Sequence, residues 1–336
     1  MLAQKRPRKR MPLPRRAVLA LPFLLPAIRA WAQSNFPDRP VRLIVPFAPG
    51  GNSDTVARVM APKLSEKLGQ PVVVENRAGA AGNVAATAFA RAKPDGTTIF
   101  LGSNGPLTVN PVIQANLGYD PARDFTPVGL FVRTPNVLAV RRSVPAQTLA
   151  ELIALSQSAP GSISTGSSGT GSTSHLAIES FNAATGAGLQ HVPYGSGGAM
   201  TPDLIAGNIK AGMTEISTVL PLHREGVVRI LATGSAKRLA VAPEVPSFDE
   251  AGVPGFRAAA FVGIVAPSGT PAEVVATIAG AVAAAVADPD NRQRLEEMGS
   301  EMATPGEATP AGFAAFLARE SAWTRAAADR AGLRPG

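Results

Sequence analysis

Short runs rich in β-branched and aromatic residues alternate with helical patterns along almost the whole chain. This alternation limits the possible folds most: it argues for an α/β protein with largely parallel sheets. VRLIVPF (41–47) reads as a buried strand, and the run after it places Val56, Val59, Met60, Leu64 and Leu68 on one helical face. Asn52 or Ser53 is available to cap that helix, and Pro62 is expected to kink it or end a first short piece. PVVVEN (71–76) is a second strand, an Ala-rich helix covers about 82–92, and Asp95-Gly96 turns the chain into a third strand, TTIFLGS.

After a break the series resumes with VLAV (137–140). Thr148 then caps the helix LAELIALSQ, with Glu151 three residues on as in a capping box. SIST is a strand, and SHLAIESFNAAT is a helix ended by Gly186. LQHVPY, GAMTPDLIAG, IKAGMTEI, TVLPLHREG and VRILATGS continue the alternation. A Pro-rich link (241–256), one more strand (AAFVGIVAP) and two helices, roughly 271–287 and 310–330, follow. The pattern predicts two lobes, the first discontinuous: 33–134 with 257–336, and 135–256 between them. With few aromatics and many Ala, Gly and Pro, the cores are expected to be aliphatic.

The N-terminus has a different logic. Lys5, Arg6, Arg8, Lys9, Arg10, Arg15 and Arg16 precede the apolar run AVLALPFLLPAI, and Ala30-Trp31-Ala32 follows it. This is the order of a secretory signal peptide, cleaved near Ala32, with an apolar run too short to span a bilayer. Arg15-Arg16 fits twin-arginine export, and Sec export stays open. The segment also carries the charge. The chain has 32 Lys+Arg against 24 Asp+Glu; removing the eight basic residues of 1–32, which hold no acid, leaves 24 against 24. No basic excess remains to argue for nucleic acid. Cys is absent, which excludes a disulfide framework and a thiolate metal site and suits a bacterial periplasm.

Gly-rich turns sit where strands end and helices begin: PFAPGGNSD (46–54), GSNG (102–105), STGSSGTGSTSH (164–175) and VPYGSGG (192–198). Each alone is an ordinary strand-to-helix turn. Together, two per lobe, they predict half-sites facing each other across a cleft, where backbone N–H groups at helix N-termini receive a ligand. Enzyme signatures are missing. Gly166-Ser167-Ser168-Gly169 has the wrong spacing for a nucleophile elbow, no phosphate loop occurs, and Gly169-x-Gly171 lacks the rest of a dinucleotide fingerprint. His175, His191 and His223 are not at metal-ligand spacings, and no cofactor or metal is expected.

FPDRPVRLIVPFAPGGNSDTVAR, QPVVVENRAGAAGN and KPDGTTIFLGSNG resemble the substrate-binding receptors of tripartite tricarboxylate transporters, the Bug family. So do GSSGTGSTSHLA, HVPYGSGGAMTPDLIAGNI and LATGSAKRLAVAPEVPSFDEAGVPGF, so that the resemblance covers essentially all of the chain after residue 32. It implies a type II periplasmic-binding-protein fold, two lobes joined by two crossing strands and closing over a small carboxylate. It also implies a partner, the membrane permease subunits of the transporter. Carried over by motif, the ligand-binding residues are Phe47, Ala48, Gly50, Gly51, Asn52 and Asp54; Ser103 and Asn104; Ser168, Gly169, Thr173 and His175; and Tyr194 and Gly197. For Asp54, a first-turn carboxylate favoured by the helix dipole is an equal reading. Thr214-Glu215 stands where the family has an Asp-Asn-like pair, and Phe261 where a Trp is common; both are expected to alter the floor and rim of the cleft.

The expected function is therefore a monomeric periplasmic receptor for a small organic acid. An exported hydrolase or lyase on the same scaffold is the second reading, with Ser172 and His175 as its minimum pair and no third orienting group. A ligand sensor for a signalling partner is the third.

Overall fold

The computed structural model describes residues 36–333. The signal-peptide reading of residues 1–32 lies outside them. In chain order the elements are β1 (Val41–Val45), α1 (Asn52–Leu68), β2 (Val72–Asn76), α2 (Asn83–Phe89), β3 (Thr98–Ser103), α3 (Asn110–Ile113), α4 (Pro121–Asp124) and β4 (Phe125–Arg141). Then come α5 (Leu149–Ser158), β5 (Ile163–Ser167), α6 (Thr173–Thr185), β6 (Leu189–Pro193), α7 (Gly197–Ala206), β7 (Ala211–Glu215), α8 (Ile216–Arg224) and β8 (Val228–Thr233). The chain ends with β9 (Ala259–Pro267), α9 (Ala272–Ala287), α10 (Pro289–Glu297), β10 (Glu301–Met302) and α11 (Pro310–Arg330).

The strands run β2-β1-β3-β9-β4-β7-β5-β6, with β8 and β10 also on β4. β1, β2 and β3 are parallel to one another, as are β5, β6 and β7, but β4 and β9 enter antiparallel. The sheets are therefore mixed where the alternation predicts largely parallel ones. β4 is the strand the two lobes share. It pairs with β9 as far as Pro135 and with β7 from Asn136. At that switch Asn136 N–H donates to the Ala258 carbonyl at 2.8 Å, just before β9 returns the chain to the first sheet. These are the two crossings.

Each lobe has its own core. In the first, α1 and α9 cover β1, β3, β9 and β4 with Leu43, Met60, Leu64, Ile278 and Val282 among the buried side chains. The second lobe's sheet buries Phe181, Phe248 and Phe256 on one face and Met200, Leu204, Val219 and Leu220 on the other. The aromatics are few but clustered: Phe89, Phe100 and Phe125 also stack in the first lobe. Among the described residues no single helix is long and apolar enough to cross a membrane.

Several local expectations change. α1 passes through Pro62 as one helix of 17 residues, because Pro62 lies on its exposed side, where water can take the carbonyl the ring leaves unbonded. Its N-cap is Gly51 in an extended conformation, with no side-chain cap from Asn52 or Ser53. The cap at Thr148 and the stop at Gly186, with φ of 68°, are as predicted. In the expected break, residues 105–109 form a π-helical turn and β4 begins at Phe125.

Candidate functional site

Five strands of the two lobes deliver their carboxyl ends to one cavity. It is lined by Phe47, Gly51, Asn52 and Ser53 after β1; Ser103, Asn104 and Gly105 after β3; Ser168, Ser172 and Thr173 after β5; Ser196 and Gly197 after β6; and Glu215 ending β7, with Ala260 of β9. This is where open α/β sheets place ligands. The lobes are closed on each other here. Ala48 N–H donates to the Gly195 carbonyl at 3.3 Å, and the Ser217 hydroxyl donates to Asn52 Oδ1 at 3.0 Å. The enclosed space is about 20 Å³, roughly what one water needs. Anything larger than a water enters only if the lobes part.

The wall is rich in hydroxyl and amide side chains. Phe47 is the largest apolar side chain in it, and among the described residues no Arg, Lys or His lines the cavity. α1 and α8 start without side-chain caps, so their first N–H groups are not taken up by a capping side chain. α6 and α7 are capped by Ser172 and Ser196, whose hydroxyls accept from His175 N–H and Ala199 N–H at 3.1 Å. Among the side chains that line the cavity, two buried atoms have no partner within the described residues: Asn52 Nδ2, on a residue 5% exposed, and Ser103 Oγ, on one 4% exposed. Asn104 is held by the crossing strand, its Oδ1 accepting from Phe261 N–H at 2.8 Å. Glu215 is buried; its Oε2 accepts from the Thr214 hydroxyl at 3.1 Å. Burial raises the Glu215 carboxyl above its ordinary value, partly offset by its own backbone N–H and by Thr214.

Of the residues expected at the cleft, Phe47, Gly51, Asn52, Ser103, Asn104, Ser168, Thr173 and Gly197, carried over by motif, and Glu215, a departure from the family pattern, line the cavity; Ala48, Gly50, Asp54, Gly169, His175, Tyr194 and Thr214 do not. Some of the second group brace the loops that carry the first. Asp54 accepts from Gly50 N–H, Arg58 Nε and Asn76 Nδ2, tying the loop to the end of β2. Burial pushes its carboxyl up, but Arg58, Gly50 and Asn76 outweigh that and hold it below its ordinary value. Gly169 adopts a φ of 111°, which a side chain disfavours, and Tyr194 turns its hydroxyl to Asp203 at 2.7 Å. A Cβ on Gly197 would lie 2.5 Å from Thr214 Oγ1, so Thr214 sets how closely α7 approaches β7. Phe261 packs against Phe313 and Phe316 rather than forming part of the cavity wall.

Motif matching misses Ser53, Gly105, Ser172, Ser196 and Ala260. Ser172 and Ser196 carry a signal, a serine directly after a glycine loop at the start of a helix. Ala260 carries none, since only sheet pairing brings β9 to the cavity.

Sequence spacing also conceals a cluster behind the β5–α6 loop. His175, Glu179 and His191 bring one side-chain N or O each to within 4.8 Å of one another. Gly171 N–H donates to His175 Nδ1 at 3.2 Å, which places the ring proton on Nε2, toward Glu179 at 3.8 Å. In that tautomer neither nitrogen of His175 has a lone pair free for a cation. Ser172 Oγ accepts from the His175 backbone, not its ring, and the Ser167–His191 hydrogen bond at 2.6 Å lies off the cavity wall with Ser167 fully buried.

The family profile described as tripartite tricarboxylate transporter family receptor matches residues 56–324. Protein BugT of Bordetella pertussis is 35% identical over 287 residues, 85% of this chain and 87% of BugT. Of solved structures, R. palustris Rpa4515 with adipate superposes with a TM-score of 0.85 at 36% identity, covering 90% of this chain and 100% of that one. The periplasmic binding protein BugD gives 0.86 at 33% identity, with 90% and 100% covered. MatC from Rhodopseudomonas palustris with bound malate gives 0.84 at 34% identity, with 87% and 99% covered. With these matches across both lobes and a cavity at the strand ends, the chain belongs to the tripartite tricarboxylate transporter receptor family, the Bug-type periplasmic binding proteins.

Proposed function

We propose that this chain captures a small organic carboxylate between its lobes and hands it, unchanged, to the membrane permease subunits of a tripartite tricarboxylate-type transporter. The observation that carries the reading is the cavity wall: serine and threonine hydroxyls, uncapped helix N-termini, and the unpartnered Asn52 Nδ2 and Ser103 Oγ. An unpaired buried polar atom costs about 1–3 kcal/mol, which ligand oxygens would recover. Helix N-termini favour an anion without a fixed cation. The relatives solved with adipate and malate support the same ligand class.

In this reading residues 33–134 with 257–336 form one lobe and 135–256 the other, as the partner switch in β4 supports. The hinge lies where β4 and the segment before β9 cross. Residues 1–32 direct export and are removed near Ala32, and the receptor acts as a monomer. Catalysis is disfavoured because neither Ser–His pair presents an activated nucleophile to the cavity. Native mass spectrometry of the protein purified from periplasm tests the reading. A retained small acid, released with its mass unchanged, is expected; a covalent adduct or a converted product would overturn it.

A further inference from the structure

Among the described residues, Glu215 is the only titratable side chain that lines the cavity, and it has no ion-pair partner there. It ends β7 and is the N-cap residue of α8. The groups that meet its carboxylate are the Thr214 hydroxyl and its own backbone N–H. From β4, Asn136 stands directly opposite it in the register, fully buried, with neither side-chain atom partnered. The remaining walls are Phe47, glycines, Asn52, Asn104, Ala260 and hydroxyls.

An acid entering this space brings a second carboxylate beside Glu215. Two carboxylates in one desolvated site do not both stay ionised unless something between them donates. We infer that Glu215 is the specificity residue of the cleft and selects acids carrying a hydrogen-bond donor, a hydroxyl or ammonium group, next to the carboxylate. This rests on the receptor reading above and narrows its ligand class. In that arrangement Asn52, Ser103 and the helix N-termini take the carboxylate, while the donor faces Glu215. Two features favour an ionised, accepting Glu215: its place at the start of α8, where the dipole supports negative charge, and the two donors already aimed at it. Burial works the other way, toward a proton on Glu215, and a cation or hydroxyl on the ligand relieves that penalty without one.

Calorimetry near neutral pH tests it with matched acids: propionate, lactate and alanine; succinate, malate and aspartate; glutarate, 2-hydroxyglutarate and glutamate. In the skeleton that fits, the donor-bearing acid should bind at least about tenfold tighter than the plain one, a charge-assisted hydrogen bond being worth that much. Comparing the hydroxy and amino members decides which donor is used. Glu215→Gln should erase most of the preference while the plain acid still binds, and Glu215→Asp, which keeps the charge, should retain its direction. Unchanged melting of both variants shows that folding is not what is being read. A plain acid that binds as well as its donor-bearing partners would overturn the inference and leave the receptor reading standing. So would a preference that survives Glu215→Gln, or plain-acid binding with uptake of a proton in buffers of different ionisation heat. Binding of none of these acids would instead count against the receptor reading, and the inference would fall with it.

Discussion

Ser217, on α8 of one lobe, donates its hydroxyl to Asn52 Oδ1, on α1 of the other, at 3.0 Å. The contact fixes the amide so that Nδ2, which has no partner, is the end left for a ligand. One side chain thus bridges the lobes and lines the cavity, which couples closure to binding.

Ser217→Ala removes that latch without touching the cavity wall. A net hydrogen bond contributes about 1 kcal/mol, so affinity should fall roughly fivefold. Small-angle scattering should show a larger fraction of open molecules in the absence of ligand. Equal affinity in calorimetry and an unchanged scattering profile would show that the contact does not bias closure.

Gly51 and Gly169 separate binding from folding. Gly51 has an ordinary φ of −88°, and a Cβ there would come 3.0 Å from Ser196 Cβ across the cleft. Gly51→Val should therefore hold the lobes apart and abolish detectable binding while the melting temperature changes little. Gly169→Val should instead destabilise the protein, because its φ is 111° and the Cβ would lie 2.9 Å from the Tyr194 carbonyl. Full binding by Gly51→Val would mean that closure at this point is not required.

The alternation of strands and helices was legible because each element buries a periodic face, as α1 does with Val56, Met60, Leu64 and Leu68. β4 was legible only at 137–140, since Pro127, Arg133 and Pro135 break its pattern and pairing with β9, β7 and β8 is what makes it a strand. α10 was not legible, having only Asn291 and Leu295 buried among charged residues. At the site, glycine loops identify which turns meet but not which side chains point inward. Asp54 and Thr173 both stand in matched motifs, and only Thr173 lines the cavity. The meeting of His175 with His191 depends on β6 lying beside β5.

That histidine pair makes stability depend on pH. The rings stack 4.3 Å apart, and burial, with His191 second, holds His175 down to about 4 from 6.5. Between those values the unfolded chain binds a proton that the folded chain refuses, so stability falls as pH drops through the window, by on the order of 3 kcal/mol at most. Glu179, raised by burial, acts oppositely, weakening the fold as pH rises past its ordinary range. Protonation of His175 also takes the Nδ1 lone pair from Gly171 N–H, loosening the loop that carries Ser168, Ser172 and Thr173. Melting temperatures over this range should fall more steeply for the native protein than for His175→Gln. Parallel curves would remove His175 from the account.

The most direct test is melting of the protein against a broad library of small organic acids and their carboxamides. A ligand that binds only the folded form adds about 2.7 kcal/mol at a hundredfold excess over Kd. One acid, or a small related group, should raise the melting temperature by several degrees. Its carboxamide should bind about ten- to a hundredfold more weakly, since hydrogen bonds to a charged acceptor are worth about 1.5–3 kcal/mol each. No shift with any acid at millimolar concentration, or equal shifts by an acid and its amide, would contradict the claim that this cleft captures a carboxylate.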